Sequence, residues 1–233
     1  MTTFEANNLT EYLQAMEESA LEIQGKVKGA SHASLCGLVL DRGRPFESLP
    51  LTDAEVTWLF KLIDEYRSKF PIKHCYSNSQ GLLLFNTGLN EQADDHELRY
   101  VEGYAVGVIP IPHAWLSLNG KVVDLTMRLK KPWTRRSKVK KGRLKDRVLG
   151  EFPTLEREYY GIELPTRLIH ERIARTQEYG SLIDDWMSGF PLLFMDESGW
   201  SDEDQQEEST DGTKDEQQAE PEPSEEPSVG GSS

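Results

Sequence analysis

Leu9, Leu13, Met16, Ala20 and Ile23 recur at the spacing of one helix face. Asn8 stands before them and Glu11 three residues later, a cap and its reciprocal partner. The pattern predicts an amphipathic first helix ending near Gly25 to Gly29. Residues 33–40 are a short apolar run of strand length, and Gly43 and Pro45 open a loop after it. Thr52 and Glu55 repeat the capping pattern. Leu59, Leu62, Ile63 and Tyr66 then give the buried stripe of a helix reaching about Ser68. Pro71 breaks the chain. Residues 75–85 resume as a helix rich in leucine, with Gly88 as its stop.

After a polar, acidic loop at residues 90–97 the period changes. Residues 99–109 are rich in Tyr and Val and read as a strand. Pro110 and Pro112 bracket a turn, residues 113–118 form the next strand, and Asn119-Gly120 is a strong hairpin signal. With those two as loop residues, Leu118 faces Lys121, Leu116 faces Val123 and Trp115 faces Asp124. Opposed residues share a face, so Ala114, Leu116, Leu118, Val123 and Leu125 point to the core. The other face carries His113, Trp115, Asp124 and Thr126. Asp124 is then diagonal to His113, about 7–8 Å away at the backbone and within reach of long side chains. A slip of one residue would turn Asp124 to the wrong face. Further on, residues 152–160 read as a helix, 161–165 as a break and 166–177 as an amphipathic helix. Residues 181–187 read as a short helix packing Leu182, Ile183 and Trp186 on the core, and residues 189–191 close the ordered part.

Charge divides the chain. Residues 197–233 carry 13 acidic residues and one lysine, against a net charge of −14 for all 233 residues. The remainder is almost neutral. The tail is too poor in apolar residues to fold, which leaves one α+β domain over residues 1–196 and an acidic tail at 197–233. Within the domain, residues 128–147 hold eleven Lys or Arg and one Asp. They read as a solvated basic insertion or, functionally, as a surface for nucleic acid or another polyanion. No apolar stretch approaches bilayer-spanning length. The start of the chain has neither the basic segment nor the apolar run of a signal peptide, and two unpaired cysteines suit a reducing compartment. The expected location is cytoplasmic, in a bacterium or in the host of a phage.

Cys36 and Cys75 have no disulfide or metal spacing. Cys36 lies in an apolar run and reads as a small buried hydrophobe. Cys75 falls in the first turn of its helix, where the dipole and unpaired N–H groups favour a thiolate. Asn78 and Ser79, one turn on, share its face. A thiol, a base and a group that orients the base are the parts of an activated nucleophile. Cys75, His113 and Asp124 supply them. His74 is adjacent to Cys75 and points elsewhere. His32, His96 and His170 show no cysteine or carboxylate partner pattern. The position of Glu102 depends on the turn after its strand. A turn at residues 110–112 leaves it far from His113, and a loop from Gly107 brings it opposite Trp115.

Cys75 at a helix start, His113-Ala114-Trp115 on one strand and Asp124-Leu125-Thr126 on the next resemble the transglutaminase-like and papain-like cysteine enzymes. Residues 71–127 carry the likeness, and small bacterial and phage proteins of this type also show the 100–104 stretch. The resemblance implies a helix packing its cysteine against the edge of an antiparallel sheet, with helical additions at both ends. It implies Cys75 as nucleophile, His113 as base and Asp124 as orienter, with no metal or organic cofactor. Papain-like enzymes place an oxyanion-hole glutamine shortly before the cysteine, and residues 69–74 contain none. Tyr76 stands where a tryptophan commonly follows. Cys75 N–H and Asn78 are the candidate oxyanion donors, and Glu102 and Trp115 are further site-lining candidates. The function expected is acyl transfer through the thiol, most directly hydrolysis of an amide by a peptidase or deamidase. The other class is a non-catalytic interaction protein of the same fold, binding through residues 128–147 or the tail.

Overall fold

A computed structural model describes residues 8–26, 28–66, 70–71, 73–89, 96–106, 109–126 and 158–200. The basic segment 128–147, the 152–157 part of the expected helix and the tail beyond Trp200 lie outside the described residues. Among the described residues the fold is α+β. The order is α1 (Leu9–Gln24), α2 (Leu35–Arg42), β1 (Arg44–Phe46), α3 (Asp53–Tyr66), α4 (Cys75–Leu89), β2 (Leu98–Val106), β3 (Pro110–Leu118), β4 (Lys121–Val123), β5 (Tyr159–Leu164) and α5 (Thr166–Thr176). Short 3₁₀ turns follow at Trp186–Ser188, Pro191–Phe194 and Glu197–Trp200. The strands form one antiparallel sheet in the order β1-β5-β2-β3-β4.

The caps act as their residue types dictate. Asn8 accepts from the Glu11 N–H at 2.8 Å. Thr52 and Glu55 bond reciprocally, at 2.6 Å from the Thr52 N–H and 3.3 Å from the Glu55 N–H. Glu55 also receives Lys121 Nζ at 2.8 Å and Asn119 Nδ2 at 3.1 Å, which pins the hairpin turn to the start of α3. The hairpin keeps the expected register, Leu116 opposite Val123 and Leu118 opposite Lys121. Ala114, Leu116, Leu118, Val123 and Leu125 enter the main core with Leu82 and Leu83 of α4. Val101, Trp115, Val122 and Tyr159 form a second apolar cluster with Phe46.

Several expectations are corrected. Residues 35–42 form helix α2 rather than a strand, because Ser34 caps the run by accepting from the Gly37 N–H at 3.1 Å. An apolar run of this length fits either period. Strand β1 follows where a loop was expected. The β2–β3 turn lies before Pro110, since Val106 pairs with Pro110 and Tyr104 with Pro112. Both prolines sit where β4 no longer runs beside β3, so their missing N–H groups are tolerated. Residues 159–164 form β5, paired to both β1 and β2, in place of a helix end and a break. Helix α4 continues through Gly88 to Leu89. Met16 and Ile23 are exposed, so Leu9 and Leu13 carry the burial of α1. Trp186 is 68% exposed and does not pack on the core, whereas Leu182 and Ile183 do. Beyond residues 189–191 the fold goes on, with Leu192 and Leu193 in the main core.

Candidate active site

The carbonyl of His74 accepts the first helical bond of α4, from the Asn78 N–H at 2.9 Å. Cys75 is therefore the first helical residue, and the amides of residues 75–77 precede the helical ladder. The chain reaches this point through Lys73, which has a positive φ of 68°. Helix α4 packs on β3 and β2. Strand β4 covers only the far half of β3, from Leu116 to Leu118.

Cys75, His113 and Asp124 are all buried. His113 Nε2 lies 2.8 Å from Asp124 Oδ2. The Cys75 thiol lies near enough to the same imidazole to favour its charged form. With Nε2 taken by Asp124, Nδ1 is the nitrogen left for the thiol. Burial opposes a charge on the ring, but the bond to Asp124 and the nearby Cys75 outweigh it and push His113 up to about 9. Asp124 is itself held on both oxygens. Oδ1 accepts the Thr126 N–H at 2.8 Å, and Oδ2 accepts the Tyr159 hydroxyl at 3.0 Å. Trp115 stacks near the His113 ring at 6.3 Å between centroids and 22° between planes. It meets Tyr159 and Phe46 edge-on. Trp115 thus flanks the pair from the side.

Asn78 shares the face of Cys75, as its spacing requires, and is buried. Its amide donates to Pro71 O and Thr126 Oγ1, both at 2.9 Å. Those bonds tie α4 to the end of the hairpin and use both amide hydrogens. His74 is exposed. His32 does have a carboxylate partner, with Nε2 3.5 Å from Asp41 Oδ2, remote in sequence from either cysteine's base.

Glu102 pairs with Ala114, one position from the place a loop from Gly107 would give, and is not left far from His113 as a turn at residues 110–112 would require. Gly103 pairs with His113. The Glu102 side chain is 1% exposed and accepts four hydrogen bonds. They come from the Tyr100 hydroxyl at 2.6 Å, the Leu182 N–H at 2.7 Å, the Ser181 hydroxyl at 2.7 Å and the Ile183 N–H at 3.1 Å. Burial pushes its carboxyl upward against those four bonds. Gln80 of α4 completes the fixation by exchanging two bonds with Gly180, at 2.7 and 3.2 Å. A pocket of about 80 Å³ adjoins His113 and has Tyr76, Glu102, Tyr104, Ser181 and Asp184 among its wall residues. Cys75 is not one of them. It lies next to two that are, Tyr76 in the chain and His113 in space.

Tyr159, Gln80, Tyr100 and Ser181 are site-supporting residues that the sequence reading passes over. Tyr159 was hidden by the helical reading of its stretch; the paired tyrosines followed by Gly-Ile-Glu-Leu are the strand signal. Among the described residues no group of three or more His, Cys, Asp or Glu side chains is placed to hold a metal ion. No helix among them is long and apolar enough to cross a membrane. Set against protein-family models, curated proteins and solved structures, the chain matches none.

Proposed function

We propose that this chain is a cysteine-dependent acyl-transfer enzyme of the papain-like and transglutaminase-like kind, hydrolysing an amide bond. The observation that carries the reading is the buried line from Cys75 through the His113 ring to Asp124. In it a base lies beside the thiol and a carboxylate orients the base. His113 takes the Cys75 proton, and the sulfur attacks the amide carbonyl. The oxyanion is met by backbone N–H groups of the first turn of α4, since the Asn78 amide is committed elsewhere. As the carbon–nitrogen bond breaks, His113 returns the proton to the leaving nitrogen and a thioester remains. Water then gives a proton to His113 and attacks the thioester, releasing the acid and the thiolate. An amine in place of water would give transfer instead.

The test uses p-nitrophenyl acetate as a general acyl donor. The sulfur attacks its carbonyl, nitrophenolate leaves, and an acetyl group remains on the thiol. Mass spectrometry should find that group on Cys75 and not on Cys36, with nitrophenolate release lost in Cys75→Ala and strongly reduced in His113→Ala. Equal release by the Cys75→Ala variant, at unchanged thermal stability, would sink the proposal.

A further inference from the structure

The pocket beside His113 is walled by α2, α4, β2, β3 and the 181–184 segment. It is small. Pockets that take drug-sized ligands measure about 300–1,000 Å³, and this one is about 80 Å³. That holds a few non-hydrogen atoms.

The 181–184 wall is fixed with unusual redundancy. Glu102 receives a hydroxyl and two backbone N–H groups from residues 181–183. Gln80 holds Gly180. Arg175 reaches the buried Asp185 at 2.7 Å, and Arg172 donates to Ser181 O at 3.1 Å. The Ser181 hydroxyl accepts the Asp184 N–H at 2.8 Å. Four of these anchors come from elements other than the segment itself. The segment is therefore a fixed wall, and its central anchor sits in the strand register one place from the base.

We infer that this is a blind pocket, which admits the slender end of a substrate and excludes a chain that runs through. The inference rests on Cys75 as nucleophile and narrows its substrate. The substrate class that fits is a carboxamide at the tip of an unbranched chain, entering end-on past Tyr76 and His113. Glu102 is a positioning residue. It anchors residues 181–183 and through them sets the pocket's width.

Iodoacetamide and iodoacetamidofluorescein carry the same reactive group on a slender and a wide body. In both, the Cys75 sulfur displaces iodide and forms a carbon–sulfur bond. The native protein should react at Cys75 at least about 100-fold faster with the slender reagent, at the upper end of what one steric misfit commands in a pocket. Glu102→Gln turns an amide N–H₂ toward groups that are all donors, so the wall should loosen and the ratio fall to about 10-fold or less. Ser181→Ala, a milder change, should lower the ratio in the same direction. Hydrogen exchange at the Leu182 and Ile183 amides should be slow in the native protein and fast in Glu102→Gln. That measurement does not depend on the thiol. Similar native rates with both reagents, or an unchanged ratio in both variants, would overturn the blind pocket and leave the nucleophile standing. A native Cys75 that resists iodoacetamide itself, with Leu182 and Ile183 protected, would overturn the functional reading and this inference with it.

Discussion

Cys36 and Cys75 share nearly every local feature. Each lies in the first turn of an α-helix, and they are 6% and 8% exposed. Helix dipole and burial thus act on both thiols. Their neighbours differ. Cys36 Sγ meets the Tyr104 hydroxyl at 3.2 Å, with the Glu17 carboxylate close by, and burial pushes its thiol up. Cys75 lies beside an imidazole whose pKa is raised by its bond to a buried aspartate. A helix start does not set the two thiols apart; the partner across the sheet edge does.

The largest effect should come from removing that partner. At pH 6.5 native Cys75 should be alkylated by iodoacetamide about 100-fold faster than Cys36, and His113→Ala should bring the two within about 10-fold. Peptide mapping reads both rates in one sample. Parity of the two cysteines in the native protein would erase the distinction. Asp124→Asn comes next. It keeps the shape but withdraws the charge that raises His113, so the ring's titration, followed by NMR, should move down from about 9. Cys75 labelling should fall about 10-fold, less than with His113→Ala.

Stability against pH gives a third contrast. His113 has a folded pKa above its ordinary value, so the contribution of its charged form is full below about 6.5. It is lost as pH rises through about 9. Urea midpoints should decline across that window in the native protein and stay flatter in Asp124→Asn. Asn78→Ala removes two hydrogen bonds and should cost about 1–3 kcal/mol by the same urea method, with a smaller change in labelling. The smallest effect belongs to Tyr104→Phe, which deprives Cys36 of its hydroxyl. It should cost about 0.5–1.5 kcal/mol and leave Cys75 labelling unaltered. If it slowed Cys75 as much as Asp124→Asn does, the two thiol sites would not be separate.

The sequence makes the His113–Asp124 pair legible because an Asn-Gly turn fixes register, and register in a period-two structure fixes faces. The caps at Asn8 and Thr52 are legible for a similar reason: they are short-range chemistry. Residues 35–42 are not, since the short apolar stretch at 35–40 fits a buried helix turn or a strand, and the deciding bond is made by Ser34 just before it. Residues 159–164 mislead through Gly161, which punctuates like a loop residue. The role of Glu102 is beyond local reading altogether. Three of its four partners lie 79 to 81 residues away, on a segment whose pattern suggested a helix.

Gly161 has a reason to be glycine. It pairs with Gly103, which pairs in turn with His113, so two residues without side chains sit in one row beside the base. A Cβ at Gly161 would come within 2.6 Å of both Glu102 O and the Trp115 ring, and one at Gly103 within 2.2 Å of Tyr160 O. The row is a bare lane, and the edge of the indole reaches over it at Gly161. In a saturation-mutagenesis screen, these two strand positions should therefore tolerate substitution poorly. Divergent relatives are then better sought by a spaced signature than by overall identity: a glycine after Glu102, the His-Ala-Trp run, Asp124 and the glycine of the Tyr-Tyr-Gly strand.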